Sequence, residues 1–453
     1  MNDYAATVPP PTVDPRATIR SMTDSVSAVP LDPRRSWSWW WMGLAVSVTA
    51  TAIGVAGIVW AFLIGIVVWG NDWPVMWGMP ILAYVWWIAV ASGGTFVSAF
   101  FFLVRVEWRT AINRLAETMT LCAAVCAGIY PILHLGRPYF AYWLFPYPNS
   151  MTLWPQWKSP LLWDFMALLT YVVASILFWY LGLIPDLATM RDRAKSRAAQ
   201  LAYGVFALGW RGTAPQWRHL KATYGVFAAI MAPVVVSIHS VVGLDFAGAA
   251  TPGWHSTEYP PFFVFGALWS GLATVTLLVL ALRRPLRFDA LMTERHLRVL
   301  GKLLLTSGLL MSYAYIMDAF DPFYSGEAAD RVQFISRVAG PYAPVYWGMI
   351  TCNCVLPLIL CWGRARRSHA VLAVVCVGSI VGMWLERYNI VVLTLMRTHL
   401  PSAWGFYAPT LCDWMIFGGT LGLFATGLLL AIRAVPLVSM FEMREMLAER
   451  RQA

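Results

Sequence analysis

The amino-acid sequence predicts an all-α polytopic membrane protein with about ten transmembrane helices. Charged residues make up 12% of its 453 residues, and the apolar and aromatic set AVILMFWYC makes up 59%. Soluble proteins contain about 25% charged residues, so this composition excludes a set of soluble domains. From Trp39 onward, separate stretches of roughly twenty apolar residues follow one another, each long enough to cross the hydrocarbon as a helix.

The elements follow in order along the chain. Residues 1–38 contain several prolines and no apolar stretch, which favours a flexible Pro-rich cytoplasmic tail. A secretory signal needs an apolar region between basic residues and a cleavage site, so we expect the first span to be retained. The ten predicted spans cover residues 42–69, 81–104, 116–134, 161–183, 223–243, 261–282, 298–318, 343–362, 370–392 and 411–433.

The positions of Lys and Arg predict the orientation of the chain. Eighteen of them lie in the four even-numbered loops, whereas the five odd-numbered loops contain only five. Short cytoplasmic loops retain Lys and Arg, so both termini are predicted to be cytoplasmic. The formal charge of +10 follows this topology and does not form one patch, which argues against a nucleic-acid partner.

Ionisable side chains at the ends of the spans are candidates for a functional site. Such a group costs roughly 2.5–3.5 kcal/mol at membrane depth, so its presence needs a reason. Helix ends are often polar, and a carboxylate at a helix N-terminus is stabilised by the helix dipole. With the N-terminus inside, however, all of these groups fall at the outer ends of their helices: His134, Asp164, His239, Asp245, Asp318, Glu386, Arg387 and Asp413.

Two imidazoles, two carboxylates and a guanidinium suit a lipid-soluble substrate that exchanges protons. Oxidation of a quinol releases two protons, and His beside Asp accepts protons near neutral pH. Arg387 is expected to hold a carboxylate ionised or to bond a quinone carbonyl. Trp163 and Phe246 are candidates for the flat walls of such a pocket, although packing in the core or the interfacial belt is the commoner role of an aromatic residue.

The sequence indicates no redox centre or metal site of its own. Its seven Cys fall in or beside apolar runs without any CxxC pair, and Gly-rich dinucleotide motifs are missing. We therefore expect neither haem nor an iron–sulfur cluster in this chain. Electrons from a quinol would have to pass to a partner on the outer face.

Four short motifs resemble those of the NrfD-type, polysulfide-reductase-like membrane subunits. They are His-Leu-Gly-Arg-Pro at 134–138, Trp-Asp at 163–164, Ser-Ile-His-Ser at 237–240 and Gly-Leu-Asp-Phe at 243–246. The resemblance extends over spans two to nine. The length, the ten spans and the Pro-rich tail are most similar to the larger quinol-oxidising subunit of bacterial alternative complex III.

The resemblance implies two side-by-side four-helix bundles with flanking helices. The first bundle, with the quinol site, would cover residues 81–243 and the second residues 244–392. Residues 39–80 would form the first span and an outer loop, and residues 393–453 the last span and a cytoplasmic tail. By matching position, the catalytic residues would be His134, Asp164, His239, Asp245 and Arg387, with Arg137, Tyr139, Trp163 and Phe246 as further quinol-binding residues.

The resemblance also implies partners and a location. Menaquinol or ubiquinol would be the substrate, and an iron–sulfur subunit on the outer face would take the electrons. Other membrane subunits and cytochrome c-type subunits would complete a complex in the bacterial cytoplasmic membrane. Proton translocation would use polar threads, for which the candidates are Ser92, Thr95, Ser98 and Glu107 in one and Thr306, Ser307, Ser312 and Tyr313 in another, although such hydroxyls often bond their own helix backbone.

Three alternatives stay open at the level of sequence. A b-type cytochrome would use His134 and His239 as haem ligands, since imidazole is a common axial ligand. A secondary transporter would place its site near the midplane, where this sequence has few ionisable groups. A purely structural anchor would hold peripheral subunits and bind no substrate.

Overall fold

The structure is a computed structural model that describes residues 12–32, 37–144, 158 and 160–452. Within these ranges the regular elements are helices, apart from one bridge between Asp72 and Val75. The longer helices are α1 (Ile19–Leu31), α2 (Ser38–Ile64), α3 (Met79–Leu103), α4 (Asn113–His134), α5 (Pro160–Arg193), α6 (Arg197–Phe206), α7 (Ala214–Ala247), α8 (Tyr259–Leu282), α9 (Glu294–Tyr324), α10 (Ala328–Ala339), α11 (Ala343–Cys361), α12 (His369–Leu393), α13 (Leu411–Ala434) and α14 (Met440–Gln452). Short 3₁₀ helices lie at Ile66–Trp69, Glu107–Ala111, Pro138–Leu144, Ala365–Arg367 and Pro401–Ala403.

Ten of these helices, all except α1, α6, α10 and α14, are long and apolar enough to cross a membrane. The prediction of an all-α polytopic membrane protein with ten spans is therefore confirmed for the described residues. Some helices are longer than their apolar runs: α5 continues to Arg193, beyond the predicted end at residue 183. Its last turn contains Arg191 and Arg193, whose positive charge is favourable at the C-terminal end of a helix dipole.

The N-terminal segment corrects one expectation. Residues 19–31 form a helix with a capping box at Thr18 and Ser21, whereas the sequence predicted a flexible tail through residue 38. Met22, Val26 and Val29 recur at helical spacing and are buried, so this helix has an apolar face. Residues 1–11 and 33–36 of the predicted tail lie outside the described residues, as do residues 145–157 of an outer loop.

The first and last helices of the described residues lie together on one side of the molecule. α1 packs against α14, and the Arg444 guanidinium donates hydrogen bonds to Thr23 Oγ1 over 3.3 Å. An even number of crossings brings the two ends to the same side. That this side is the cytoplasm stays a prediction from the loop charges.

α3 is the most enclosed span and joins two groups of helices. Every residue from Met79 to Thr95 is buried. Gly93 of α3 meets Gly271 of α8 so closely that a Cβ built on either glycine would lie 2.1 Å from the Cα of the other. Only glycine permits this approach of two backbones, as at other close helix crossings in membranes.

The helices on either side of this crossing pack as two groups. α3, α4, α5 and α7 contact one another, as do α8, α9, α11 and α12. α2 packs along α13, outside both groups. The exact bundle boundaries at residues 243 and 392 stay a prediction.

Candidate functional site

A narrow pocket lies at one end of the group formed by α3, α4, α5 and α7. Its lining consists of Trp77, Ile81, Tyr84, Val85, Pro131, His134, Leu135, Asp164, Phe165, Asp245 and Phe246. Three of the five predicted catalytic residues, His134, Asp164 and Asp245, are part of this lining. They come from the last turn of α4, the start of α5 and the last turn of α7, so three helix ends build the site.

The local sequence explains the position of His134. It is the last residue of α4, and Gly136 follows with φ of +68°. Glycine adopts this left-handed conformation without strain and so ends helices. The chain turns away directly after His134, which leaves its imidazole in the rim of the pocket.

Four buried polar atoms of the lining have no hydrogen-bond partner among the described residues. They are Tyr84 Oη, His134 Nδ1, Asp164 Oδ1 and Asp245 Oδ1. The Tyr84 hydroxyl and the Asp164 carboxyl interact electrostatically, but the contact does not meet hydrogen-bond geometry. Buried polar atoms are nearly always paired in native proteins. Four unpaired atoms that converge on one pocket are typical of a site for a polar ligand.

Aromatic rings form the wall behind these polar atoms. Phe246 is buried and packs edge-to-face against Trp77, at 6.2 Å between ring centroids, and against Trp254 at 4.9 Å. On its other side Phe246 stacks on Phe263 at 5.2 Å. The pocket therefore combines a flat apolar wall with proton-accepting groups, as a ring-shaped polar substrate requires.

His239 and Arg387 belong to a second buried cluster rather than to the pocket lining. The Arg387 guanidinium lies 4.2 Å above the centre of the Phe263 ring and is ion-paired with Glu386. His239 interacts electrostatically with Arg387, and its Nδ1 lies 3.3 Å from the Val235 carbonyl of its own helix. Phe263 and Phe246 stack between this cluster and the pocket, so Arg387 reaches the lining only through two rings.

Helix geometry explains why His239 and Asp245 separate. They are six residues apart on α7, and a helix turns by about 100° per residue, so their side chains point roughly 120° apart. Asp245 consequently faces α4 and α5, whereas His239 faces the second group of helices.

The second cluster continues into the interior of that group. Tyr315 donates a hydrogen bond to Glu386, and the Asn353 amide donates to Tyr315 Oη over 2.7 Å. Glu386, Tyr315 and Asn353 are all buried. Arg387 Nε and Nη2 and His239 Nε2 have no hydrogen-bond partner in the described part of the chain.

The four further quinol-binding candidates are divided. Phe246 is buried in the wall of the pocket, whereas Trp163 is 42% exposed beside Asp164 and does not line it. Arg137 is exposed, and Tyr139 is 66% exposed and packs on Phe140. Tyr139 and Arg137 therefore lie at the surface near the rim rather than in the pocket.

The first predicted polar thread is a connected set of side chains over part of its length. Thr95 Oγ1 lies 2.8 Å from Tyr171 Oη and 3.3 Å from Thr120 Oγ1. Ser92 is fully buried one turn nearer the pocket, and its Oγ has no partner among the described residues. Because α3 rises about 1.5 Å per residue, Ser92 lies roughly 12 Å along the axis from Tyr84.

The thread ends at a buried carboxylate that the sequence prediction missed. Ser98 donates to Glu117, which also accepts hydrogen bonds from Tyr224 Oη over 3.0 Å and from Arg114 over 2.8 Å. The predicted end, Glu107, is exposed. The sequence signal that could have identified Glu117 is its spacing of three residues from Arg114 at the start of an apolar run.

The second predicted thread is not a connected set of side chains. Ser307 and Ser312 donate to carbonyl groups four residues earlier in α9, over 2.7 and 2.9 Å. Thr306 is exposed, and Tyr313 is 61% exposed. Tyr315, a buried polar residue of this helix, lay outside the prediction.

Comparison with known proteins gives two findings. Residues 67–398 match the family described as "Polysulphide reductase, NrfD". The chain is also 26% identical over 409 residues to a protein of Halobacterium salinarum that is described as a putative membrane subunit of a dimethyl sulfoxide reductase. That alignment covers 83% of this chain and 87% of the other protein. The family match includes α3 to α12 and therefore the whole lining of the pocket.

Proposed function

This chain belongs to the NrfD polysulphide reductase family, and we propose that it oxidises quinol as the membrane subunit of an electron-transfer complex. The observation that supports this function is the convergence of Tyr84, His134, Asp164 and Asp245, each with an unpaired polar atom, on one apolar-walled pocket. A quinol head group offers two hydroxyls and a flat ring. Its hydroxyls complement the unpaired atoms, and its ring complements Phe246 and Trp77.

The chemistry assigned to the pocket is removal of two protons. Oxidation of one quinol to quinone releases two protons and two electrons. Asp164 and Asp245 each accept one proton from a quinol hydroxyl, and His134 relays these two protons in turn from the rim toward the nearer compartment. The electrons leave to an iron–sulfur partner subunit at the same end of the molecule, because the two substrate oxygens are held there.

Arg387 and His239 act on this reaction through the aromatic wall. The guanidinium over Phe263 lies one ring away from Phe246, so its positive charge influences the pocket without touching the substrate. We assign these two residues a positioning role and not direct contact with quinol.

The finer identity is that of the larger quinol-oxidising subunit of alternative complex III in a bacterial cytoplasmic membrane. Other membrane subunits and cytochrome c-type subunits would complete that complex. Menaquinol and ubiquinol both fit the chemistry of the pocket. Translocated protons would start at Ser92 and pass Thr95 and Ser98 to the buried carboxylate of Glu117, toward the opposite end of the bundle.

The decisive experiment measures quinol oxidation by the purified complex with a short-chain quinol. We expect Asp164→Asn and His134→Gln each to lower kcat by about 10²-fold or more, because proton acceptance contributes on that scale. Asp72→Asn is the matched control, since Asp72 is exposed at the same end and accepts a hydrogen bond from the Trp73 amide. Native electrophoresis checks that every variant assembles.

Normal turnover in both pocket variants would contradict the proposal and favour a structural anchor. A haem absorption band in the purified chain that His239→Gln removes would instead support the cytochrome. The separation of the two histidines weighs against that alternative, because His134 lines the pocket and His239 faces Arg387.

A further inference from the structure

Three metal-ligating side chains converge at the pocket end of the molecule, outside the pocket itself. His255 lies in the loop between α7 and α8, and Glu327 and Asp330 lie at the start of α10. His255 Nε2 is 3.3 Å from Asp330 Oδ2 and 3.5 Å from Glu327 Oε2. The three candidate ligand atoms all lie within 4.8 Å of one another.

The other polar atoms of two of these residues are already fixed. His255 Nδ1 lies 3.2 Å from the Thr251 carbonyl, which identifies Nδ1 as the protonated nitrogen. Asp330 Oδ1 accepts the Gly253 amide over 2.8 Å. A metal-bound His usually donates its second ring N–H to a carbonyl, and a bound carboxylate is usually hydrogen-bonded through its other oxygen. The lone pair of Nε2 thus points at two carboxylate oxygens, an arrangement that a cation stabilises.

The surroundings favour a positive ion as well. The adjoining hollow is lined by Asp330, Glu258, Asp318 and Asp321, with Arg337 as its basic residue. Arg337 is engaged by Asp318 over 3.4 Å. Burial, followed by the neighbouring Asp318 and Asp321, raises the pKa of Glu258 to about 8.

We propose that His255, Glu327 and Asp330 bind a divalent cation, and that Zn²⁺ is its best match. Zn²⁺ accepts nitrogen and oxygen ligands at about 2.0–2.2 Å, so two ligands of a tetrahedral ion are roughly 3.3–3.5 Å apart. The separations of 3.3 and 3.5 Å from Nε2 agree with such an edge. Three protein ligands leave the fourth position to water.

The ion would clamp the loop after α7 onto the surface helix α10. The residue beside His255 is Trp254, which packs on Phe246 and Trp77 and donates through Nε1 to the Ile390 carbonyl over 2.6 Å. The same loop therefore connects the metal ligands to the aromatic wall. Metal binding itself does not depend on the proposed reaction with quinol.

The test measures binding of Zn²⁺ by the intact purified protein after chelator treatment, using isothermal titration calorimetry. We expect one site per chain, with affinity at least about 100-fold weaker in His255→Gln, because changes even to outer partners of a metal cost 10–100-fold. His399→Gln is the matched control: His399 is an exposed histidine whose Nε2 contacts the Ala250 carbonyl, and Zn²⁺ binding should stay unchanged.

Two further measurements separate a metal site from a simple ion pair. Co²⁺ bound to the wild type should give the absorption bands of a tetrahedral ion, and Glu327→Gln should remove them. Glu327 is exposed, so this variant is suitable even where Asp330→Asn fails to fold. Equal, weak Zn²⁺ binding by the wild type and His255→Gln would overturn the proposal and show that a protonated His255 alone joins the carboxylates.

Discussion

Replacement of Tyr84 by Phe tests the pocket because its effects on stability and on activity should have opposite signs. Tyr84 is 4% exposed, and its hydroxyl has no hydrogen-bond partner among the described residues. A polar group buried without a partner costs about 1–3 kcal/mol. Tyr84→Phe removes that cost and keeps the ring contacts, so we expect the free energy of unfolding to rise by about 1 kcal/mol.

Activity should fall in the same variant. If the hydroxyl binds a quinol oxygen, loss of one neutral hydrogen bond of about 1.4 kcal/mol lowers kcat/KM roughly tenfold. Thermal unfolding in detergent and quinol oxidation by the assembled complex provide the two readouts. The control is Tyr130→Phe, because Tyr130 is equally buried but its hydroxyl lies 3.0 Å from Thr420 Oγ1. That variant should lose stability, and a Tyr84→Phe protein with lower stability and normal turnover would refute the reasoning.

Three further predictions concern packing, pH and buried charge. Gly93→Ala should destabilise the protein by about 1–3 kcal/mol, because its Cβ would lie 2.1 Å from the Gly271 Cα. Burial raises the pKa of Glu258 from 4.5 to about 8. The contribution of Glu258 to stability is therefore fully present below about pH 4.5 and is lost as the pH rises through about 8. The melting temperature of Glu258→Gln should vary less over this pH interval than that of the wild type. Glu442→Gln should lower the free energy of unfolding by about 3–5 kcal/mol, because it leaves the buried Arg109 without its charge partner.

Matched variants control two of these predictions. Gly128 has open space around a built Cβ, so Gly128→Ala should not reduce the melting temperature. Glu445 pairs with Lys221 at the surface, where an ion pair contributes less than about 1 kcal/mol, and Glu445→Gln should change little. A large loss in either control would contradict the assignment of the effect to close backbone contact or to burial.

The sequence predicted the spans well because length and hydrophobicity are local properties. It also placed His134, Asp164 and Asp245 at the same end of the helix bundle, because counting the spans is enough to tell on which side of the membrane each helix end lies. It did not predict which face of its helix each residue occupies. His239 was therefore grouped with Asp245, although helical rotation turns the two apart.

Other features needed tertiary contacts that sequence does not provide. Tyr84 is one of many aromatic residues in an apolar span, and only its neighbours distinguish it. Glu107 and Glu117 both lie near the predicted inner end, and burial selects Glu117. The helix at Ile19–Leu31 was missed because proline-rich flanks concealed a short apolar face that α14 covers.

The crossing of Gly93 and Gly271 limits how this molecule moves. Two main chains in direct contact have no compressible side chains between them, so the two helix groups cannot slide closer or shear at that level without steric overlap. Rotation about the crossing avoids this overlap and would have its pivot near the middle of α3. A displacement of the helices at the pocket end would then tilt whole helices and displace their ends at the opposite membrane surface, while the crossing itself stays in place.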